Sequence, residues 1–295
     1  MSIPSKLSRA LKILLAAALT LLIAVWLLFL KLKPKPKVLK IGVMPDLDSI
    51  QIAVAVSFCE NVELVLFTDA VSRSAAFRSG AVDLCVSDLL TATAEISSGR
   101  PDKILTATSG RYSVISKESD ISNIESIGLS SGTVIEYTAD RIFESKTIQK
   151  VYISSISARA SAVLNGNVTA AVLPEPYATL SLSKELFIIA EQTEESVGII
   201  SCTESAYKKK QRQISDFLKA FDKAADVINN APESDAIKQA MNTLSIGEAF
   251  VKVKLPIYRP ATPPEKAVID DVCSYLLENG ICTPDKKAVS NALSN

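Results

Sequence analysis

The chain reads as an α/β protein, two doubly wound lobes behind an N-terminal transmembrane helix. Three observations carry that expectation: an uncharged apolar run near the start, strands that alternate with helices through the rest, and two stretches of the rest that echo each other at nearly constant offset. Alternating strands and helices point to a parallel sheet with helices on its faces, and the echo points to two such units. The 295 residues accommodate both, at about 100–150 residues per lobe.

The apolar run is Ile13 to Leu30, 18 residues without a charge, flanked by Lys12 and Lys31. As a helix it covers about 27 Å, enough to cross a hydrocarbon core. A cleaved signal peptide is the rival, with Lys6, Arg9 and Lys12 as its basic region. Such a peptide has a shorter apolar core followed by small residues, whereas here Ala16–Ala18 lie inside the run and Lys31–Lys37 follows it. An uncleaved membrane anchor is therefore expected. The basic flanks are balanced, so charge alone sets no orientation. Lys31–Lys37, alternating lysine with leucine and proline, reads as a stiff spacer.

The soluble part repeats. Ile41-Gly42 recurs as Ile127-Gly128, Arg73 as Arg159 and Gly80 as Gly166, each pair 86 positions apart. In each unit a strand, helix, strand, helix and strand are expected. In the first, Val38–Val43 is an apolar strand ended by Met44-Pro45-Asp46, and Asp48 or Ser49 caps a helix running to about Phe58. Val62–Phe67 is the next strand, Val71–Ser79 a helix stopped by Gly80, and Val82–Val86 a third strand. Gly110–Ser116 and Val197–Thr203 are extended segments flanking the second unit. Beyond them Ile214, Phe217, Leu218, Phe221, Ala225 and Ile228 share one helical face. A last helix is expected from a capping box at Thr262-Pro-Pro-Glu265. The expected division is 1–37 for stub, anchor and spacer, 38–112 plus 201–295 for lobe 1, and 113–200 for lobe 2, with the tail helices returning to lobe 1.

Composition excludes several functions. Residues 38–295 hold 25 basic and 32 acidic side chains, a net charge of −7. So acidic a domain is ill suited to phosphate backbones, and nucleic acid is not an expected partner. No histidine is present, which removes Ser-His-Asp and Cys-His nucleophile pairs and the commonest zinc ligand. The five cysteines fit no zinc spacing, so neither metal nor cofactor is expected. Cys85 reads as a core residue, and Cys273 and Cys282 are close enough in sequence to bridge in an oxidising compartment.

Taken together, LKIGVMPD, RSGAVDLCVSDLLTA, GRYSVIS, GTVIEYTADRI, LNGNVTAAVLPEPYATL and the Lys254–Pro260 segment resemble the substrate-binding proteins of ABC importers. The similar branch is the one for alkanesulfonates, nitrate and thiamine-pyrimidine precursors, with the type II periplasmic binding protein fold. The resemblance spans about residues 38–283. It implies two lobes joined by two crossover strands that close on a small molecule. It also implies an extracytoplasmic domain, hence a cytoplasmic N-terminus, and a membrane permease as partner for a monomer that does no chemistry. Lyases and a pyrimidine synthase share the fold. The synthase needs a histidine, which this chain lacks.

In open α/β sheets ligands bind beyond the carboxyl ends of the strands, which singles out four loops, Pro45–Ser49, Ser87–Thr91, Ser130–Val134 and Leu173–Tyr177. Asp46 and Asp48 are either acceptors for a ligand or a turn residue and a cap. Ser87 and Asp88 carry the same pair of readings. Ser131 and Thr133, around Gly132, open a helix whose N–H groups suit a ligand oxygen or serve only as its cap. Glu175 is held between two prolines beside the cleft. Tyr112 and Tyr258 stack on a ring or simply pack, and Arg111 meets a ligand acid or an acidic neighbour. Arg73 and Arg159 look structural because both open equivalent helices. With four acids in these loops, the ligand expected is an amine-bearing heterocycle such as a thiamine-pyrimidine precursor, with a sulfonate or nitrate as the alternative.

Overall fold

The computed structural model describes residues 5–31, 38–144, 146–192, 197–247, 253 and 255–293. Residues 1–37 and 38–295 form separate units. The first contains helix α1 (Ser5–Lys31), 27 residues long. Within it the side chains of 13–26 are described, 14 residues of the apolar run, all exposed. Among the described residues no helix is long and apolar enough to cross a membrane. The Lys/Pro spacer, from residue 32 onward, and Lys254 lie outside the described residues.

The second unit holds two five-stranded sheets. Lobe 1 opens with β1 (Leu39–Val43), α2 (Leu47–Val56), β2 (Val62–Leu66), α3 (Ala70–Arg78), β3 (Leu84–Asp88), α4 (Leu89–Ser97) and β4 (Lys103–Ala107). Lobe 2 contains β5 (Tyr112–Ser116), β6 (Ser126–Leu129), α5 (Val134–Ile142), β7 (Gln149–Tyr152), α6 (Ile156–Leu164), β8 (Ala170–Pro174), α7 (Tyr177–Ser181) and β9 (Phe187–Glu191). The chain then returns through β10 (Gly198–Cys202), α8 (Glu204–Lys209), α9 (Gln211–Asn230), α10 (Asp235–Thr243), α11 (Lys266–Glu278) and α12 (Lys286–Ala292). The sheet orders are β2-β1-β3-β10-β4 and β7-β6-β8-β5-β9, the same pattern twice, as the 86-residue echo requires.

Neither sheet is wholly parallel. β1 pairs in parallel with β2 and β3, but β10 lies antiparallel between β3 and β4, and β5 lies antiparallel between β8 and β9. Each odd strand is the first one the chain lays down after crossing between lobes. The carboxyl ends of the parallel strands point at the cleft, so a strand entering from the cleft must run the other way. The crossings fall at 108–111 and 192–197, and β10 already belongs to the first sheet from Gly198, three residues ahead of the expected boundary at 201.

Packing explains the tail. The stripe Ile214, Phe217, Phe221, Ala225, Ile228 of α9 is buried against α2 in the lobe 1 core, with Leu218 partly buried beside it. Burying each large apolar side chain of this kind is worth about 1.5–3 kcal/mol. The last helices do more than return to lobe 1. α11 and α12 pack on α4, while α11 also reaches α5 of lobe 2, where Tyr137 and Arg141 bind Asp271 and the Tyr275 hydroxyl donates to Asp140 at 2.6 Å. The tail thus ties both lobes.

Two expected caps are corrected. Asp46, not Asp48 or Ser49, caps α2. The Thr262 capping box does not form, because Thr262 instead continues the edge of β4, its N–H donating to Thr106 Oγ1 at 2.9 Å and its carbonyl accepting from Ala107 at 2.8 Å. The helix begins at Lys266. Cys85, Cys273 and Cys282 are all free thiols, the first two buried.

Candidate functional site

The repeat sets the geometry of the cleft. In both lobes the helices begin where the parallel strands end, so their N-termini gather between the lobes. α3 is capped by Asp69 and α6 by Ser155, and these two caps form an antiparallel bridge across the cleft. Four residues into each helix comes the repeated arginine. Four residues is about one helical turn, so Arg73 and Arg159 sit on the same side as their caps and face one small cavity of about 50 Å³. The repeated glycines end the same helices, Gly80 and Gly166 adopting φ of 73° and 72°. The arginines read from sequence as structural therefore line the cleft. Their signal was present in the sequence, because the loops after the second strand of each unit obey the same sheet rule as the four chosen loops.

Most of the expected residues gather here too. Met44, Asp46, Asp48, Ser87 and Asp88 line the cavity from lobe 1, Tyr112, Ser130, Thr133 and Ser154 from lobe 2. Asp46 accepts from Ser49 N at 3.1 Å and Ser49 Oγ at 2.9 Å, both through Oδ1. Asp48 accepts from Gly110 N at 2.7 Å and Tyr112 OH at 3.2 Å, which spends both of its oxygens. Position 110 must be glycine, since a Cβ there overlaps the Asp48 carboxylate. Asp88 caps α4 through Thr91 N at 2.8 Å and Thr91 Oγ1 at 3.1 Å, and it also faces the Val134 N–H at the start of α5.

Four residues are placed elsewhere. Ser131 is exposed, and its neighbour Ser130 takes the lining position. The Glu175 carboxylate turns back onto its own helix, accepting from Thr179 N at 3.2 Å and Thr179 Oγ1 at 3.0 Å. Arg111 is exposed and borders a separate groove of about 520 Å³ with Gln192, Ile257 and Arg259. Tyr258 is buried in the lobe 1 core, where its hydroxyl donates to Leu47 O at 3.0 Å and supports the Asp46–Asp48 turn from beneath.

The charges are unevenly distributed. Burial, with Asp48 beside it, pushes the Asp46 carboxyl up to about 7. Burial also raises Asp48 and Asp88 against their hydrogen bonds. Arg73 is opposed by its own burial, yet Cys85, Asp88 and Asp46 around it hold its proton more tightly than usual. It donates to Met44 Sδ at 3.1 Å, while its buried Nε has no partner among the described residues. Arg159 is different. Burial pushes it down to about 10, against a smaller effect of Tyr112. Its partners are carbonyls: Nε donates to Val172 O at 3.1 Å, Nη1 to Ile153 O at 2.9 Å and to Ser154 O at 3.0 Å.

The lobes are closed on each other. Besides the Asp69–Ser155 bridge, Leu47 N donates to Glu175 O at 3.1 Å. The cavity is well below the ~150 Å³ of a benzene-sized site, so a ligand of that size enters only as the lobes part. Among the described residues no group of three or more Cys, Asp or Glu is set to hold a metal ion.

Two mixed sheets in this order, two crossings and a polar cleft between lobes define the periplasmic binding protein fold. Solved structures agree. The alkanesulfonate-binding protein of Xanthomonas axonopodis pv. citri, bound to MOPS, is similar with a TM-score of 0.70 at 15% identity, over 88% of this chain and 99% of that one. The ligand-binding component of an ABC-type import system from Staphylococcus aureus, with zinc bound, matches with a TM-score of 0.69 at 11% identity, over 88% and 97%. A Candida albicans gene product that defines a family with the generic periplasmic binding protein fold matches at 0.66 and 15%, over 88% and 96%. No family model and no curated sequence matches the chain.

Proposed function

We propose that this protein is a membrane-tethered, extracytoplasmic solute-binding protein that captures a small organic molecule between its lobes and presents it to an ABC importer permease, without chemistry of its own. The observation that carries the reading is the cleft itself, where buried carboxylates of lobe 1 and a guanidinium group from each lobe converge on one cavity. A binding protein needs polar groups that orient a ligand and a hinge that encloses it. The tether is supported by the uncharged run Ile13 to Leu30 inside the 27-residue helix α1. The surplus of acids in the loops favours an amine-bearing heterocycle. Arg73 and Arg159 reduce that surplus, and the ligand must satisfy them as well.

The test uses the full chain purified in mild detergent. On denaturation, mass spectrometry is expected to find one stoichiometric, unaltered small molecule. Adding that molecule back at about 100 times its Kd stabilises the protein by about 2.7 kcal/mol. Release of a chemically altered product, or no binding to any small solute, overturns the reading.

A further inference from the structure

The two walls of the cleft carry opposite charge, and the cause is visible in the helix caps. Lobe 1 caps its cleft-facing helices with carboxylates, Asp46 on α2, Asp69 on α3 and Asp88 on α4. Lobe 2 caps α5 and α6 with hydroxyls, Thr133 and Ser155, while Glu175 closes the start of α7 away from the cavity. A carboxylate at a helix N-terminus occupies the position an anionic ligand would take. In lobe 1 that position is filled from within; at α5 of lobe 2 it is met by Asp88, which faces the Val134 N–H, and by Glu136, which accepts from Gly132 N at 2.8 Å, whereas at α6 it is held by a hydroxyl alone.

The arginines sharpen the contrast. Arg73 stands among the lobe 1 carboxylates. Arg159 is fully buried, and its three hydrogen bonds all go to carbonyl oxygens. Among the described residues no carboxylate is its partner. A buried cation without a counter-charge is costly, and its bonds to the described residues use Nε and Nη1, leaving Nη2 for a further acceptor. On the facing wall Asp46 has one oxygen, Oδ2, not used by its cap.

We infer that the ligand is a small zwitterion, whose acid group is taken by Arg159 with Ser130 and Ser154 of lobe 2 and whose amine or amidinium group is taken by Asp46 of lobe 1. This deepens the solute-binding reading and rests on it. A molecule carrying both charges draws the lobes together, because each wall holds one end. A ligand with one charged group leaves the other wall uncompensated in the closed cleft.

The experiment is calorimetric binding to the full chain in detergent, using matched sets in which each zwitterion is paired with its acid-only and amine-only analogue, beginning with β-alanine, propionate and propylamine and extending to amino-sulfonates and amino acids. The tightest binder is expected to carry both groups and to lose at least 10-fold when either is deleted. Asp46→Asn keeps a competent cap and is expected to weaken the zwitterion about 10-fold while leaving its acid-only analogue unchanged. Arg159→Lys, with folding checked by its melting transition, weakens the zwitterion and leaves the amine-only analogue unchanged. Equal binding of an acid-only or amine-only analogue, or of an uncharged solute, overturns the inference and leaves the solute-binding reading standing. If no member of any set binds and nothing is released on denaturation, both fall.

Discussion

The two lobes are one design executed with different chemistry. Their sheets share a strand order, their second helices begin at facing caps, and each carries an arginine one turn inside. Yet Arg73 is surrounded by acids and Arg159 by backbone carbonyls. A repeated residue in a repeated fold thus has two roles, set by what its neighbours supply. In lobe 1 the guanidinium balances buried carboxylates, while in lobe 2 it is held in place by the backbone and left with charge to spare.

Replacing the arginines one at a time tests this comparison most strongly. Arg73→Met leaves Asp46, Asp48 and Asp88 buried without their cation, which costs about 3–5 kcal/mol by the measure of broken buried pairs. The loss is expected to be greater at pH 8 than at pH 5, where Asp46, its carboxyl pushed up to about 7, is protonated. Arg159→Met removes hydrogen bonds to three carbonyls but also an uncompensated charge, so about 1–3 kcal/mol is expected, with little change between those pH values. Urea unfolding of both variants at both pH values decides the matter, and equal pH dependence would erase the distinction.

Gly110→Ala is next. The added methyl overlaps the Asp48 carboxylate, and Asp48 is what ties α2 to the first crossing. A loss of about 1–3 kcal/mol is expected, together with weaker closure, seen as a larger radius by solution scattering.

Asp46 gives a smaller effect with a definite sign. Its folded-state pKa stands above the unfolded value, at about 7 against 3.8. The folded state therefore binds more protons, so this group's contribution is favourable below pH 4 and is lost as pH rises towards 7. Asp46→Asn is expected to raise the Tm at pH 8 and not at pH 4. About 1 kcal/mol corresponds to roughly 2–4 °C in a domain of this size. A variant whose Tm gain is the same at both pH values would show that Asp46 is not held protonated by its surroundings.

Thr262→Ala is the smallest. A capping threonine costs about 1 kcal/mol when lost, but here the hydroxyl of Thr262 donates only to Pro260 O, at 3.0 Å and exposed. A change within about 0.5 kcal/mol is expected by chemical denaturation, and a larger one would restore the capping box.

Much of the fold was legible because it is local. The buried strand Leu39–Val43, the helix stopped by Gly80 and the apolar stripe from Ile214 to Ile228 all follow from period and punctuation. Asp46, Asp48, Ser87, Asp88, Tyr112 and Thr133 reached the cleft because the ends of parallel strands determine where loops gather. Tyr258 and Glu175 did not. Nothing in their sequence neighbourhoods shows that Leu47 O and the start of α7 claim their polar groups.

What the sequence determined by itself was the repeated α/β plan, the apolar run ahead of it and the absence of histidine chemistry, since each depends on residue type and spacing along the chain. What only the tertiary structure decided was the antiparallel strand in each sheet, the helix start displaced by Thr262, and the two arginines facing one cavity. Those depend on distant segments meeting, such as Thr106 with Thr262 and Asp69 with Ser155. The charge of the cleft is of this second kind. An arginine's role is set by which acids share its low-dielectric surroundings, and that is a property of the folded chain alone.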